Sequence, residues 1–200
     1  MKTTRSLVLL AILAVAPNAS AQSRQPWSVQ GSGLYTAQDL GGNAGTVGGV
    51  GFEAQARRTF PRWSVGAGAQ YSTHSSGGDE LGLLGVFLEP RLVLGVSAGP
   101  FAPYLAGRLV YLRGSLTSDV LDGEGSSSGF AIGGGAGLIY PLTRTVNFDV
   151  GGAILHQSLG NMTLAANEIE FPSFFGYVIK AGLSIGFEGG GSSAFRLIRR

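Results

Sequence analysis

The sequence predicts an all-β protein: eight antiparallel strands closed into a transmembrane up-and-down β-barrel. Three observations predict it. Stretches of apolar/polar alternation recur along the chain, the connections between them alternate in length, and the first 21 residues read as an export signal. In the clearest stretches an aromatic residue stands at each end of the apolar set. Trp27, Val29, Gly31, Gly33 and Tyr35 form one set; Trp63, Val65, Ala67, Ala69 and Tyr71 repeat it with the same spacing. Successive side chains on a strand point to opposite faces, so each set lies on one face. Eight steps of roughly 3.3 Å, tilted by about 40°, rise about 20 Å, close to the ~25 Å apolar band between the aromatic girdles of a membrane barrel. Trp27, Tyr35, Trp63 and Tyr71 are the expected girdle.

Residues 1–21 are expected to be a signal peptide. Lys2 and Arg5 give the charged start, Leu7 to Ala16 an apolar run, and Ala19-Ser20-Ala21 the small residues of a cleavage site. The run is shorter than the about 20 residues of a spanning helix. Removing it leaves twelve basic against twelve acidic residues, so the formal charge of +2 argues for no nucleic-acid partner. The chain has no cysteine, which excludes disulfides and thiolate metal sites. No cofactor or metal is expected. The barrel should occupy 22–188, with 189–200 a flexible periplasmic tail carrying Arg196, Arg199 and Arg200.

The eight strands are expected near 27–36, 47–60, 63–74, 81–95, 101–116, 128–140, 144–157 and 173–187. The first and third carry the aromatic-ended sets. On the second, Val50, Phe52, Ala54 and Ala56 alternate with Gly51, Glu53, Gln55 and Arg57. The fourth contains Glu89 and Arg91 flanking Pro90, which cannot donate to a ladder and is expected to mark a bulge or an early strand end. The fifth carries Arg108. The sixth is rich in glycine, which permits the tight curvature of a small barrel. On the seventh, Val146, Phe148, Val150 and Ile154 alternate with Asn147, Asp149 and Gly151. On the eighth, Phe175 through Phe187 alternate with Lys180, Gly182 and Ser184.

Connections near 59–62, 97–100 and 140–143 are short. Those near 39–46, 74–80, 117–127 and 157–173 are expected to be mostly longer, as in outer-membrane barrels. The longer set holds Asp39, Asp79, Glu80, Asp119, Asp122, Glu124, Glu168 and Glu170, with no Lys or Arg; Arg57, Arg58, Arg62 and Arg144 lie on the other side. Asp119, Asp122 and Glu124 do not match an EF-hand spacing and read as an acidic loop. His74 is expected to be solvated in such a loop.

Alternation alone does not say which face is inside, since a soluble barrel would turn its apolar face inward. The aromatic ends, unequal connections, glycine-rich polar face and export signal favour the membrane arrangement. Glu53, Arg57, Glu89, Arg91, Arg108, Asp149 and Lys180 then line the lumen. Buried ions must be paired, so they are expected to form salt bridges across a mostly filled interior.

The segment Lys180-Ala181-Gly182-Leu183-Ser184-Ile185-Gly186-Phe187 resembles the terminal-strand signal read by the outer-membrane assembly machinery, with Lys180, Gly182, Ile185 and Phe187 at its marked positions. With Pro103-Tyr104-Leu105-Ala106-Gly107 and the strand pattern, the chain resembles the small eight-stranded outer-membrane barrels of the OmpA and OmpX kind over most of 25–188. The resemblance implies an outer-membrane location in a Gram-negative-type envelope and contacts with lipid and lipopolysaccharide. It also implies a role in envelope structure, surface interaction or a small pore. We expect a non-enzymatic monomer with an extracellular ligand the sequence does not identify.

One alternative is enzymatic. His156-Gln157-Ser158 ends the seventh strand, and Glu170 follows. This is similar to the outer-membrane lipid A deacylases, which use a His-x-Ser pair and a later Glu on the barrel exterior. The resemblance implies Ser158 as nucleophile, His156 as base and Glu170 as its orienter. The chain departs from that family after the serine, where Leu159-Gly160 replaces Asn-Ala.

Overall fold

The computed structural model describes residues 26–39, 45–76, 79–94, 101–118, 123–164, 167–169 and 173–187. The expected leader, tail and loop acids Asp119, Asp122 and Glu170 lie outside these residues. The strands are β1 (Trp27–Asp39), β2 (Thr46–Thr59), β3 (Trp63–Ser76), β4 (Asp79–Val93), β5 (Ala102–Ser118), β6 (Gly123–Pro141), β7 (Val146–Leu159), β8 (Met162–Leu164), β9 (Asn167–Ile169) and β10 (Phe174–Phe187). Eight of them close one antiparallel barrel in the order β1-β10-β7-β6-β5-β4-β3-β2, and β8 and β9 form a separate hairpin. Each barrel strand pairs with its chain neighbour. The closing pair runs from Trp27 opposite Phe187 to Asp39 opposite Phe175. Closure gives each of the eight barrel strands a partner on both sides, which removes the unpaired edges that lipid does not tolerate.

The two faces separate as the period-2 pattern requires. On β1, Ser28, Gln30, Ser32, Leu34, Thr36 and Gln38 are buried in the lumen, and the intervening residues face out. Outward Val50, Phe52, Phe130 and Ile132 are 61–64% exposed. Such an apolar exterior around a polar interior is the inverse of a soluble barrel. Trp27, Trp63 and Phe187 lie toward the end bearing the turns at 60–62 and 142–145, here the lower end; Tyr35 and Tyr71 lie toward the upper end. The Phe60 ring stacks on Trp63 at 4.0 Å, and Arg58 packs over both Trp27 and Phe60 at 5.6 and 5.3 Å.

Several expectations are corrected. The upper strand ends run beyond the predicted bounds, so Asp39, Asp79, Glu80 and Glu124 belong to strands. The β3–β4 connection is Gly77-Gly78 alone, shorter than the lower turn at 60–62. Unequal connections are therefore a weaker signal than expected, because the strands differ in length and take up residues expected in the loops. The residues between β7 and β10 do form a long connection, and they contain the unpredicted β8–β9 hairpin. His74 lies inside β3, is 2% exposed and faces the lumen.

Pro90 neither bulges nor ends its strand. The β4–β5 ladder pairs Leu88 with Leu109 and resumes at Arg91 with Ala106 in the same register. The proline, lacking an N–H, interrupts two positions without shifting the sequence of faces.

Glycine permits the close approach of β6 to β7. A Cβ on Gly133 would lie 1.9 Å from the Ile154 carbonyl oxygen and 2.8 Å from Leu155 Cα, both backbone atoms that cannot rotate away. Gly31 faces out, and a Cβ there would meet nothing within 4 Å. Gly133→Ala is expected to cost about 1–3 kcal/mol as an overpacked site, and Gly31→Ala under about 1 kcal/mol. Urea unfolding in detergent micelles checks the contrast; equal midpoints would contradict the tight β6–β7 contact.

Candidate functional site

The lumen-facing carboxylates, guanidiniums and ammonium come from β2, β4, β5, β7 and β10, because those strands place Asp, Glu, Arg or Lys at inward parity. The structure brings all seven together. Glu89 is central: Arg57 Nη2 lies 2.9 Å from its carboxylate, and Arg91 Nη2, Arg108 Nη1 and Lys180 Nζ each lie 2.8 Å away. Glu53 accepts from Arg108 Nη2 at 2.6 Å and from Lys180 Nζ at 3.2 Å. Asp149 pairs with Arg91 Nη1 and accepts from the Tyr104 hydroxyl at 2.9 Å. Neutral groups complete the network. Arg108 Nη2 donates to Gln70 Oε1 at 2.6 Å, Arg57 Nη2 to Gln55 Oε1 at 2.7 Å and Arg57 Nη1 to Ser64 Oγ at 3.1 Å. Gln55 Nε2 in turn donates to Gln30 Oε1 at 3.0 Å.

Sequence reasoning missed Tyr104, although its parity with Arg108, four residues on, places both inside. Room for its ring comes from the directly paired Gly137 and Gly151: a Cβ on either would lie 2.4 or 2.6 Å from the Tyr104 hydroxyl oxygen. Beside β6 and β7 a cavity of about 10 Å³ touches Glu89, Arg108 and Lys180, and a second of about 40 Å³ lies at the lower end between Arg57 and Arg91. The first is at the lower limit for one water molecule.

Above the charges sits an unpredicted apolar layer. Leu34, Leu83, Phe87, Val110, Leu112 and Leu155 are buried there with Ala131, Leu159, Phe174 and Val178. Arg108 joins the two zones by stacking its guanidinium 3.9 Å from the Phe87 ring centroid. Toward the upper end the lumen is polar again: Thr36 Oγ1 and His74 Nε2 share a hydrogen bond of 2.8 Å, and Gln157 Nε2 donates to Gln38 Oε1 at 2.6 Å.

Lys180 thus belongs to the lumen, while Ile185 and Phe187 of the same terminal-strand pattern face out and Gly182 packs closely on Ser32. His156 and Ser158 both lie on the outward face at the upper end of β7. They are two residues apart, about 7 Å along the strand. The His156 ring contacts Phe175 at 5.2 Å, and Ser158 stands opposite Phe130. Glu170 lies outside the described residues; its predecessor Ile169 is turned back by the hairpin to pair with Met162. Among the described residues no group of His, Cys, Asp or Glu is arranged to hold a metal.

No family model matches the chain, and no curated protein matches it by sequence. Solved structures do match. Neisserial surface protein A is similar with a TM-score of 0.67 at 15% identity, over 81% of this chain and 97% of that one. Ail, the attachment invasion locus protein of Yersinia pestis, is similar with a TM-score of 0.53 at 12% identity, over 80% and 97%. The outer membrane protein OprG from Pseudomonas aeruginosa gives 0.51 at 13% identity, over 84% and 99%. The fold of this chain is that of the small eight-stranded outer-membrane barrels.

Proposed function

We propose that the protein is an outer-membrane barrel of the cell envelope that acts at its surface, with a lumen occluded to ions and solutes and no catalytic role for its interior. The observation that carries the reading is the filled interior, in which a seven-residue ion network lies beneath an apolar layer. Eight strands enclose little more than side chains, and here those side chains interlock. The apolar exterior supports a lipid surrounding, because only a closed barrel can present it without unpaired backbone groups. The partners this implies are lipid, lipopolysaccharide and the assembly machinery that reads Lys180, Gly182, Ile185 and Phe187, together with an extracellular ligand met at the upper strand ends. The barrel needs no second copy for closure and acts as a monomer. The test is recovery in the outer-membrane fraction of expressing cells, with proteoliposomes that swell in arabinose no faster than protein-free ones. Recovery in the soluble fraction, or fast swelling, would contradict the reading.

A second reading rests on His156 and Ser158, which share the lipid-facing side of β7 at its upper end. A serine beside a histidine in that position is suited to attack an acyl ester of lipid A, with Glu170 orienting the histidine. Lipid A from cells expressing the protein would then lose one acyl chain, detected by mass spectrometry, and the Ser158→Ala variant would leave it intact. Unchanged lipid A beside a folded wild-type barrel sinks this second reading and leaves the first.

A further inference from the structure

We infer that the lower end of the lumen binds one small inorganic anion of halide size between Arg57 and Arg91. The cavity of about 40 Å³ found there is lined by Arg57 and Arg91 and by Ser28, Ser64, Asn147 and Ser184. Two observations separate it from an ordinary water pocket.

The first is an unspent donor. Arg57 Nε is buried without a hydrogen-bond acceptor, on a side chain 7% exposed. Arg91 Nη2 makes no directed hydrogen bond either, but it is held 2.8 Å from Glu89 Oε1 as an ion pair, and Arg108 Nε, also without an acceptor, does not line this cavity. A buried donor left unpaired is costly, and a charged one more so.

The second is the charge of the network. Arg57, Arg91, Arg108 and Lys180 face Glu53, Glu89 and Asp149, so among the described members cations exceed anions by one. Asp79, which also has a buried oxygen without a partner, stands at the far end of β4, about 33 Å along the strand from Glu89. Water in the cavity would satisfy the free Arg57 N–H and leave the excess charge. An anion does both.

Room and chemistry fit a halide. A water needs about 10–15 Å³ of such space, so the cavity takes a single-atom anion with one or two waters and excludes a hydrated organic acid. The smaller cavity beside Lys180 is too small for this. Ser28, Ser184 and Asn147 supply neutral donors; Asn147 Nδ2 lies 3.5 Å from Ser184 Oγ and spends one N–H there. Asp149 also borders the space. Its two oxygens are engaged by Tyr104 and Arg91, which turns the anion toward Arg57.

The test uses the full barrel in detergent. Crystals grown with bromide are expected to show an anomalous peak between Arg57 and Arg91. Replacing chloride by gluconate at constant ionic strength should weaken the fold. At ten times its dissociation constant, a halide raises the folding equilibrium constant about elevenfold. Arg57→Gln, which balances the network at three charges of each sign, should abolish that dependence. Waters alone in the cavity would overturn the inference. So would a bromide peak without a halide effect on stability, which marks an adventitious ion only. If Arg57→Gln does not fold, the two wild-type measurements decide.

Discussion

Glu89→Gln should unfold the barrel at markedly lower urea than the wild type. Four cations converge on this one carboxylate, which is 2% exposed, and among the described residues Arg57 pairs with no other acid. Removing one partner from a buried ion network costs about 3–5 kcal/mol, because the remaining charges stay desolvated without compensation. Glu53 is buried as deeply but meets two cations, Arg108 and Lys180, so Glu53→Gln should cost less. The two tryptophans report unfolding in micelles by fluorescence. The expected order of midpoints is wild type, then Glu53→Gln, then Glu89→Gln. Equal midpoints for all three would mean that the network is wet and screened.

Phe87→Ala should be comparably damaging. Phe87 is 4% exposed within the apolar layer and is also the ring on which Arg108 rests. Truncating a buried phenylalanine removes its packing and leaves a void, typically costing about 3–5 kcal/mol. Phe52→Ala is the control, since Phe52 is 63% exposed on the outer face. A smaller loss for Phe87→Ala than for Phe52→Ala would show that the lumen layer contributes little packing.

The contrast between these two sites explains what the sequence disclosed. Strands β2 and β7 alternate cleanly because one face meets an apolar surrounding and the other holds Glu53, Arg57 or Asp149. Once the aromatic ends and glycine-rich polar face assign the apolar side to lipid, charge there is costly near the bilayer midplane, and parity then assigns these residues to the interior. The apolar layer is illegible for the same physical reason in reverse. Leu83-Leu84, Val86-Phe87-Leu88 and Leu109-Val110-Tyr111-Leu112 are apolar on both faces, so the period-2 signal vanishes where the lumen is apolar. His74 reads as a loop residue because the composition of its neighbours, Ser75-Ser76-Gly77-Gly78, suits a loop; the strand instead continues through the serines to Ser76. Tyr104 is readable by parity, but its hydrogen bond to Asp149 depends on glycines from two other strands, and no local pattern encodes that.

The central claim is that ion network and apolar layer together occlude the lumen. Single-channel recording of the purified barrel in a planar bilayer tests it most directly. The account predicts no steady conductance steps in the wild type across ordinary salt and voltage. Reproducible ohmic steps from folded wild-type protein would contradict it, and would place a continuous water path past Glu89, Arg108 and Phe87.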